Sequence, residues 1–258
     1  MTAVQGKVAI VTGGGTGVGA ATSKWFAARG WKVLVNYSRS QAEADAVARD
    51  CGVDSAFAFK GDVASDADCV AMADAAMKRW GRIDALVNNA GLTQFVQLTD
   101  LDALKAEDFH RIYAVNTIGP FQVTRAAAEA LKAASTDAQR TSVVNISSRA
   151  GLTGHGSSLP YACSKAAVNA LTLSTARTLA PQVRINAVCP TLVEQGFVER
   201  LAPESFADRA AHQKAVSPLQ RLGHPDEVAE AIWWLSTGAS MMTGAIVELD
   251  FGLHLNAV

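Results

Sequence analysis

A chain of 258 residues, 49% hydrophobic and 18% charged, can fill a sizeable core and has neither a disordered nor a fibrous composition. Its formal net charge of −1, with no basic stripe, removes the electrostatic case for nucleic acid or an anionic membrane surface as partner. No apolar run approaches membrane-spanning length, and the start MTAVQGKVAIVTGGG lacks the basic region, apolar stretch and cleavage site of a leader, so a cytoplasmic protein is expected.

Taken in chain order, short β-branched runs recur: KVAIVT, WKVLVNY, SAFAFKGDV, IDALVNN, SVVNISS, VRINAVCP and AIVELD. Nearly all are separated by Ala-rich segments of helical character. Strands that read as continuous apolar runs are buried on both faces, which predicts a parallel sheet covered by helices on each side. The expected fold is α/β: one Rossmann-type, doubly wound domain over residues 1–258, with seven mostly parallel strands and no dividing linker. The segment at about 194–218 is the least regular. It reads either as a cover over a ligand site beyond the carboxyl ends of the strands or as an ordinary surface helical excursion.

The first run leads into TGGGTGVG, Thr12 to Gly19, and then a helical segment. Strand, glycine turn and helix start in that order let backbone N–H groups face a pyrophosphate with no side chain in the way. Gly13, Gly17 and Gly19 are the pattern positions, with Thr16 and Val18 between them. The second run ends NYSRS, so Asn36 and Tyr37 occupy the strand end where NAD enzymes often carry an acid. With no carboxylate there, and with Ser38 and Arg39 just beyond, a phosphorylated ribose is favoured: NADP(H), with NAD(H) as the other candidate. Arg39 also reads as a solvated loop residue. Cys51, Cys69, Cys163 and Cys189 form no CxxC pair and no His completes a zinc site, so free thiols and no metal are expected, with Cys163 serving packing.

In YACSK, Tyr161 and Lys165 stand four residues apart and share a helical face. Ionising a free tyrosine at pH 7 costs roughly 4 kcal/mol, and a cation about 4 Å away at an effective dielectric near 20 returns about as much, less what desolvation of both groups takes back. Alone the pair reads as a helix surface. TGGGTGVG, NNAG at Asn88 to Gly91, Asn116 in AVNTIGPF, Ser148 in VVNISSRAG and YACSK, in that order, together resemble the short-chain dehydrogenase/reductase family over essentially the whole chain. Within it the chain looks like members acting on 3-oxoacyl thioesters. Ser148, thirteen positions before Tyr161, fits the family separation better than Ser147.

The resemblance implies hydride transfer between a nicotinamide and a carbonyl or secondary alcohol, with Tyr161 as acid and base and Ser148 holding the substrate oxygen. Lys165 is implied to bind the nicotinamide ribose and bias the phenol, and Asn116 to hold a water linking Lys165 to solvent. Asn116 also reads as a helix-bending or capping amide. Asp62 is implied to meet the adenine amino group with Val63 packing near the ring, although a turn-forming Asp reads equally. Asn89, Ala90 and Gly91 are implied to pass the adenine ribose, and Pro190, Leu192 and Val193 to wall the nicotinamide.

The chain departs from the family pattern at Thr191, where glycine is usual, at Gln195, where threonine is usual, and at DFG, Asp250 to Gly252, in place of DGG. His155 is placed to line the substrate pocket, and Trp233, Trp234 and Leu235 to pack in the core. A homotetramer acting on a small molecule is implied, with oxoacyl thioesters, small ketones, sugars and steroids as substrate classes. Two other functions compete: a catalytically silent cofactor-binding regulator or scaffold, and an enoyl reductase. Family members lacking turnover usually lose the tyrosine or lysine, and enoyl reductases tend to space them more widely.

Overall fold

The computed structural model describes residues 6–256; the first five residues, part of the segment read for a leader, lie outside them, as do the last two. Seven strands form one sheet: β1 (Val8–Val11), β2 (Lys32–Tyr37), β3 (Ala56–Lys60), β4 (Ala85–Asn88), β5 (Thr141–Ile146), β6 (Val183–Pro190) and β7 (Ile246–Leu249). Their order is β3-β2-β1-β4-β5-β6-β7 and every pairing is parallel. Main helices are α1 (Gly17–Ala27), α2 (Gln41–Asp50), α3 (Asp66–Trp80), α4 (Ala106–Tyr113), α5 (Gly119–Ala134), α6 (Ala150–Thr153), α7 (Leu159–Leu179), α8 (Phe197–Leu201), α9 (Pro203–Val216) and α10 (Pro225–Thr237). No described helix is long and apolar enough to cross a membrane.

Alternate residues of each strand feed two cores. Val8, Ile10, Leu86, Val143 and Ile185 pack with α3, α5 and α7, whereas Ala9, Val11, Val33, Val87 and Val188 pack with α1, α2 and α10. This is why the strands carry apolar residues on both parities. Trp233 packs edge-on against Phe26 and Trp31, but Trp234, expected in the core, is 48% exposed. A helix presents only one stripe to the sheet, and on α10 that stripe runs through Val228, Ile232 and Leu235.

Two buried polar arrangements interrupt the apolar layers. Asn88 on β4 donates from Nδ2 to the Thr124 hydroxyl (3.1 Å) and to Asn145 Oδ1 on β5 (2.8 Å). Asn145 in turn donates to Thr172 on α7 at 2.9 Å. On β6, the buried Arg184 guanidinium donates to the carbonyls of Leu235, Ser236 and Ala239 at 2.8, 3.0 and 2.9 Å. It thereby caps the carbonyl end of α10, which lacks intrahelical partners.

Candidate active site

A cleft of about 780 Å³ lies along the carboxyl ends of the strands, where open α/β sheets receive ligands. At its β1 end, Gly13 and Gly17 have φ of 60° and 51°, in the left-handed region that favours glycine. A Cβ on Gly19 would lie 2.2 Å from the Gly13 carbonyl oxygen. Gly19 therefore does not line the cleft; it lets the start of α1 press against the turn. The first turn of α1 has neither a side-chain cap nor an acidic residue, which leaves its N–H groups open to an anion.

The turn is braced by groups that sequence reasoning missed. Thr12 Oγ1 accepts from the N–H groups of Asn89 (2.9 Å) and Ala90 (3.0 Å), and Asn89 Nδ2 donates to the Thr12 carbonyl at 2.9 Å. Asn36, 1% exposed, accepts from the Gly13 N–H at 3.2 Å and donates to the Gly61 carbonyl at 2.9 Å. The residue read for what it is not, an acid, ties the turn after β1 to the segment after β3. An amide at the end of an apolar strand was the available signal, since a buried carboxamide must find partners.

Thr16, Val18, Tyr37, Ser38 and Arg39 line the cleft, as do Asp62, Val63, Asn89, Ala90 and Gly91. Asp62 also makes the turn read for it, its carboxylate accepting from the Ala64 N–H at 2.9 Å. The glycine cradle, the open start of α1 and the volume of the cleft fit a nicotinamide dinucleotide.

At the other end, Ser148, Tyr161 and Lys165 face the same cleft beside Pro190, Leu192 and Val193. Ser148 follows β5. Ser158 caps α7 by accepting from the Tyr161 N–H at 3.4 Å, and Pro160 occupies the first turn, where no N–H is needed. This fixes Tyr161 at the mouth of α7 and Lys165 one turn deeper. Lys165 Nζ donates to the Ile146 carbonyl at 2.7 Å and lies 5.8 Å from the centre of the Tyr161 ring.

The pair is not electrostatically arranged as the spacing suggested. Burial pushes the Tyr161 phenol above its ordinary value, against a lowering hydrogen bond from Ser148. Burial also pulls the Lys165 amine down to about 8. Desolvation is the largest influence on each group, and the amine is engaged with a strand carbonyl rather than the phenol.

Asn116 does not line the cleft. It sits in a π-helical turn, Ala114–Ile118, joining α4 to α5. Its side chain accepts from the Leu92 N–H at 2.7 Å, and donates to the Leu92 carbonyl (2.9 Å) and Ser164 Oγ (3.0 Å). The helix-bending reading thus describes its placement, and its carboxamide is spent on the loop after β4. Ser164, buried inside YACSK, links it to the Tyr161 carbonyl at 2.7 Å. Cys163, expected to pack, is exposed, because a residue two positions from Tyr161 lies on the far side of a helix.

The departures from the family pattern have physical partners. Thr191 takes no left-handed φ, whereas Gln195 does, at 52°, and its carbonyl passes close to Gly17. Gln213 on α9, only 7% exposed, accepts from the Thr191 hydroxyl (2.8 Å) and the Leu192 N–H (3.1 Å) and donates to the Leu192 carbonyl (3.2 Å). The hydroxyl that replaces glycine is one anchor of α9 on the wall.

Residues 13–254 match the family model described as enoyl-(acyl carrier protein) reductase. A Streptomyces violaceoruber protein assigned as ketoacyl reductase 2 of the granaticin polyketide synthase is 38% identical, covering 98% of both chains. The chain belongs to the short-chain dehydrogenase/reductase family. The 3-oxoacyl-[acyl-carrier-protein] reductase of Synechocystis is 33% identical over 98% of this chain and 99% of its own. The crystal structure of a Burkholderia xenovorans protein assigned to the short-chain dehydrogenases/reductases superposes with a TM-score of 0.90 at 39% identity, covering 98% of this chain and 99% of that one. As a member of this family the protein is an NAD(P)-dependent oxidoreductase.

Proposed function

We propose that this short-chain dehydrogenase/reductase is an NADP(H)-dependent carbonyl reductase or alcohol dehydrogenase in which Tyr161 exchanges the proton with the substrate oxygen. The observation that carries this reading is the meeting of Ser148, Tyr161 and Lys165 at one end of a cleft whose other end is a glycine cradle. A bound nicotinamide supplies or accepts hydride. Burial keeps the phenol protonated at neutral pH, the form needed to give a proton to a carbonyl oxygen during reduction. Ser148 holds that oxygen through its hydroxyl, so charge that develops there meets two donors.

Lys165, with an amine near 8, changes charge within the working pH range and holds the ribose of the cofactor. Asn116 acts by positioning: its carboxamide fixes the Leu92 backbone and, through Ser164, the first turn of α7. Leu192 and Val193 wall the nicotinamide, and α8 and α9 form the cover.

NADP(H) is favoured over NAD(H) because Arg39 and Ser38 line the adenosine end, while the strand-end position holds the neutral, internally bonded Asn36. The family resemblance supports a homotetramer, and Phe121 on α5 and Leu173 on α7 stand 44% and 41% exposed; molar mass in solution checks it. An intact Ser148, Tyr161 and Lys165 set speaks against a silent regulator.

The test is a screen of NADPH and NADH over oxoacyl thioester, small-ketone, sugar and steroid panels, repeated with Tyr161→Phe. The variant is expected to lose at least about a hundredfold in turnover while NADPH binding, read by fluorescence, persists. Near-normal rates would remove Tyr161 from the chemistry. Arg39→Ala is expected to weaken NADPH far more than NADH; equal losses would remove Arg39 from the phosphate site.

A further inference from the structure

Exposed basic side chains gather along the cleft: beside the apolar Phe95, Phe197 and Leu201 its lining carries His155, Arg200, Arg209 and His212, besides Arg149, which pairs with the buried Asp250. Among the described residues the single carboxylate in the whole lining is Asp62, which follows β3 on the glycine-turn side. The four basic groups come from three separate elements: the loop before α7, α8 and α9.

Neither guanidinium is neutralised within the cover. Glu199, Glu204 and Asp208 are close in sequence, yet no carboxylate lies within 4.0 Å of Arg200 or Arg209 among the described residues. Glu199 turns back to accept from the Gln195 N–H. Arg209 lies across Phe95, its guanidinium carbon 5.7 Å from the ring centre, and its Nε donates only to Ser205 Oγ at 3.3 Å. Its other guanidinium nitrogens have no hydrogen-bond partner among the described residues and stand exposed. An apolar cleft ending in unpaired, forked cations concentrates anions and matches the geometry of carboxylate or phosphate oxygens. Phe197 spans the interval, its ring centre 6.1 Å from that of Tyr161.

Building on the reading of Tyr161 as the proton donor, we propose that the substrate carries an anionic group, separated from the reacting carbonyl by an apolar segment and held by Arg200 and Arg209. A carboxylate on a small cyclic or chain ketone fits that description directly; the phosphate of a carrier-borne oxoacyl thioester shares the charge but stands on a longer, amide-bearing arm. Neutral sugars and steroids are disfavoured.

Matched pairs test this: 4-oxocyclohexanecarboxylate against its methyl ester, and acetoacetyl-coenzyme A against acetoacetyl-N-acetylcysteamine. With NADPH, kcat/KM is expected to favour the charged member by roughly tenfold, the size of one charge-assisted contact. High salt should shrink that preference, and Arg200→Gln/Arg209→Gln should bring the ratio towards one. A preference in the first pair identifies a carboxylate; a preference confined to the second identifies the carrier phosphate.

Binding of the same four compounds to Tyr161→Phe, followed by saturation-transfer NMR, reads the anion site without turnover. If the charged members bind better there although no carbonyl is reduced by the native enzyme, the anion site stands and the reductase reading falls. Equal binding within both pairs, or a preference that survives in the double variant, overturns the anion site.

Discussion

Gln213→Leu removes the three hydrogen bonds that join α9, part of the proposed cover, to the segment after β6. Leucine retains the bulk of the side chain, so what is lost is the pairing of the Thr191 hydroxyl and both polar groups of Leu192. At about 1 kcal/mol net for each bond, the attachment weakens by about 3 kcal/mol. That corresponds to roughly a hundredfold shift in the opening equilibrium of the cover. Hydrogen exchange of the α9 amides should accelerate by up to that factor, while the strand amides change little. KM for cofactor and carbonyl should rise more than kcat falls, because the wall and cover act before chemistry. Gln213→Glu keeps the acceptor but loses the donor to the Leu192 carbonyl, so it should retain part of the effect. A double-mutant cycle with Thr191→Val should show a coupling of about 1 kcal/mol. Unaltered exchange in α9, or strictly additive substitutions, would refute a clamp between cover and wall.

Lys165 gives a pH signature. Its folded pKa of about 8 lies below the ordinary 10.5; below pH 8 the amine is charged in both states and the burial cost is present in full. Between pH 8 and 10.5 the unfolded chain binds a proton that the folded one has released, so stability rises with pH. The stability of the native protein minus that of Lys165→Met should therefore grow by about 3 kcal/mol from pH 7.5 to 10.5, measured by denaturant unfolding; a flat difference contradicts the buried amine. Arg184→Met leaves the α10 carbonyls unpaired and should cost about 3 kcal/mol or more. A fall of about 6–12 °C in Tm checks it, and an unchanged Tm excludes the cap. Gly19→Ala places a methyl 2.2 Å from the Gly13 carbonyl oxygen. NADPH affinity should drop at least about tenfold with the fold retained, and normal affinity in a fluorescence titration would count against the cradle.

The strands and the glycine turn were legible because their signals are local. An apolar run long enough for a strand, flanked by glycine and helical segments, leaves few alternatives once both faces must be buried. Sheet order is set by contacts between distant segments and comes from the family, not from any run of residues. The residues that were missed share one property. Thr12, Asn36 and Gln213 are polar side chains bonded largely to backbone groups far along the chain, such as Asn89 for Thr12 and Leu192 for Gln213, and Ser164 accepts from the distant Asn116 side chain.

Apart from Asn36, whose place at the end of an apolar strand was a signal, nothing in their immediate surroundings distinguishes them from turn or surface residues. The electrostatics of Tyr161 and Lys165 were mis-sized for a related reason. Helical spacing reports that two groups share a face, but not how much water each loses. The exposed cations of the cover escaped notice because charges scattered over 194–218 look like a solvated helix until the cavity is seen to gather them.

The amide chain from Thr124 through Asn88 and Asn145 to Thr172 crosses the central strands just before they deliver the two ends of the cleft. β4 runs on into Asn89 to Gly91 and β5 into Ser148. An apolar strand slipped by one residue could rebury its side chains at modest loss, but these carboxamides would then enter hydrocarbon without partners, a penalty of several kcal/mol. Such a slip would carry Ser148 about 3.3 Å along the sheet, out of reach of an oxygen shared with Tyr161. The asparagines therefore act as a proofreading device for assembly: they make the misaligned sheet expensive, and so hold fixed the distance between the glycine turn and the proposed reacting end of the cleft.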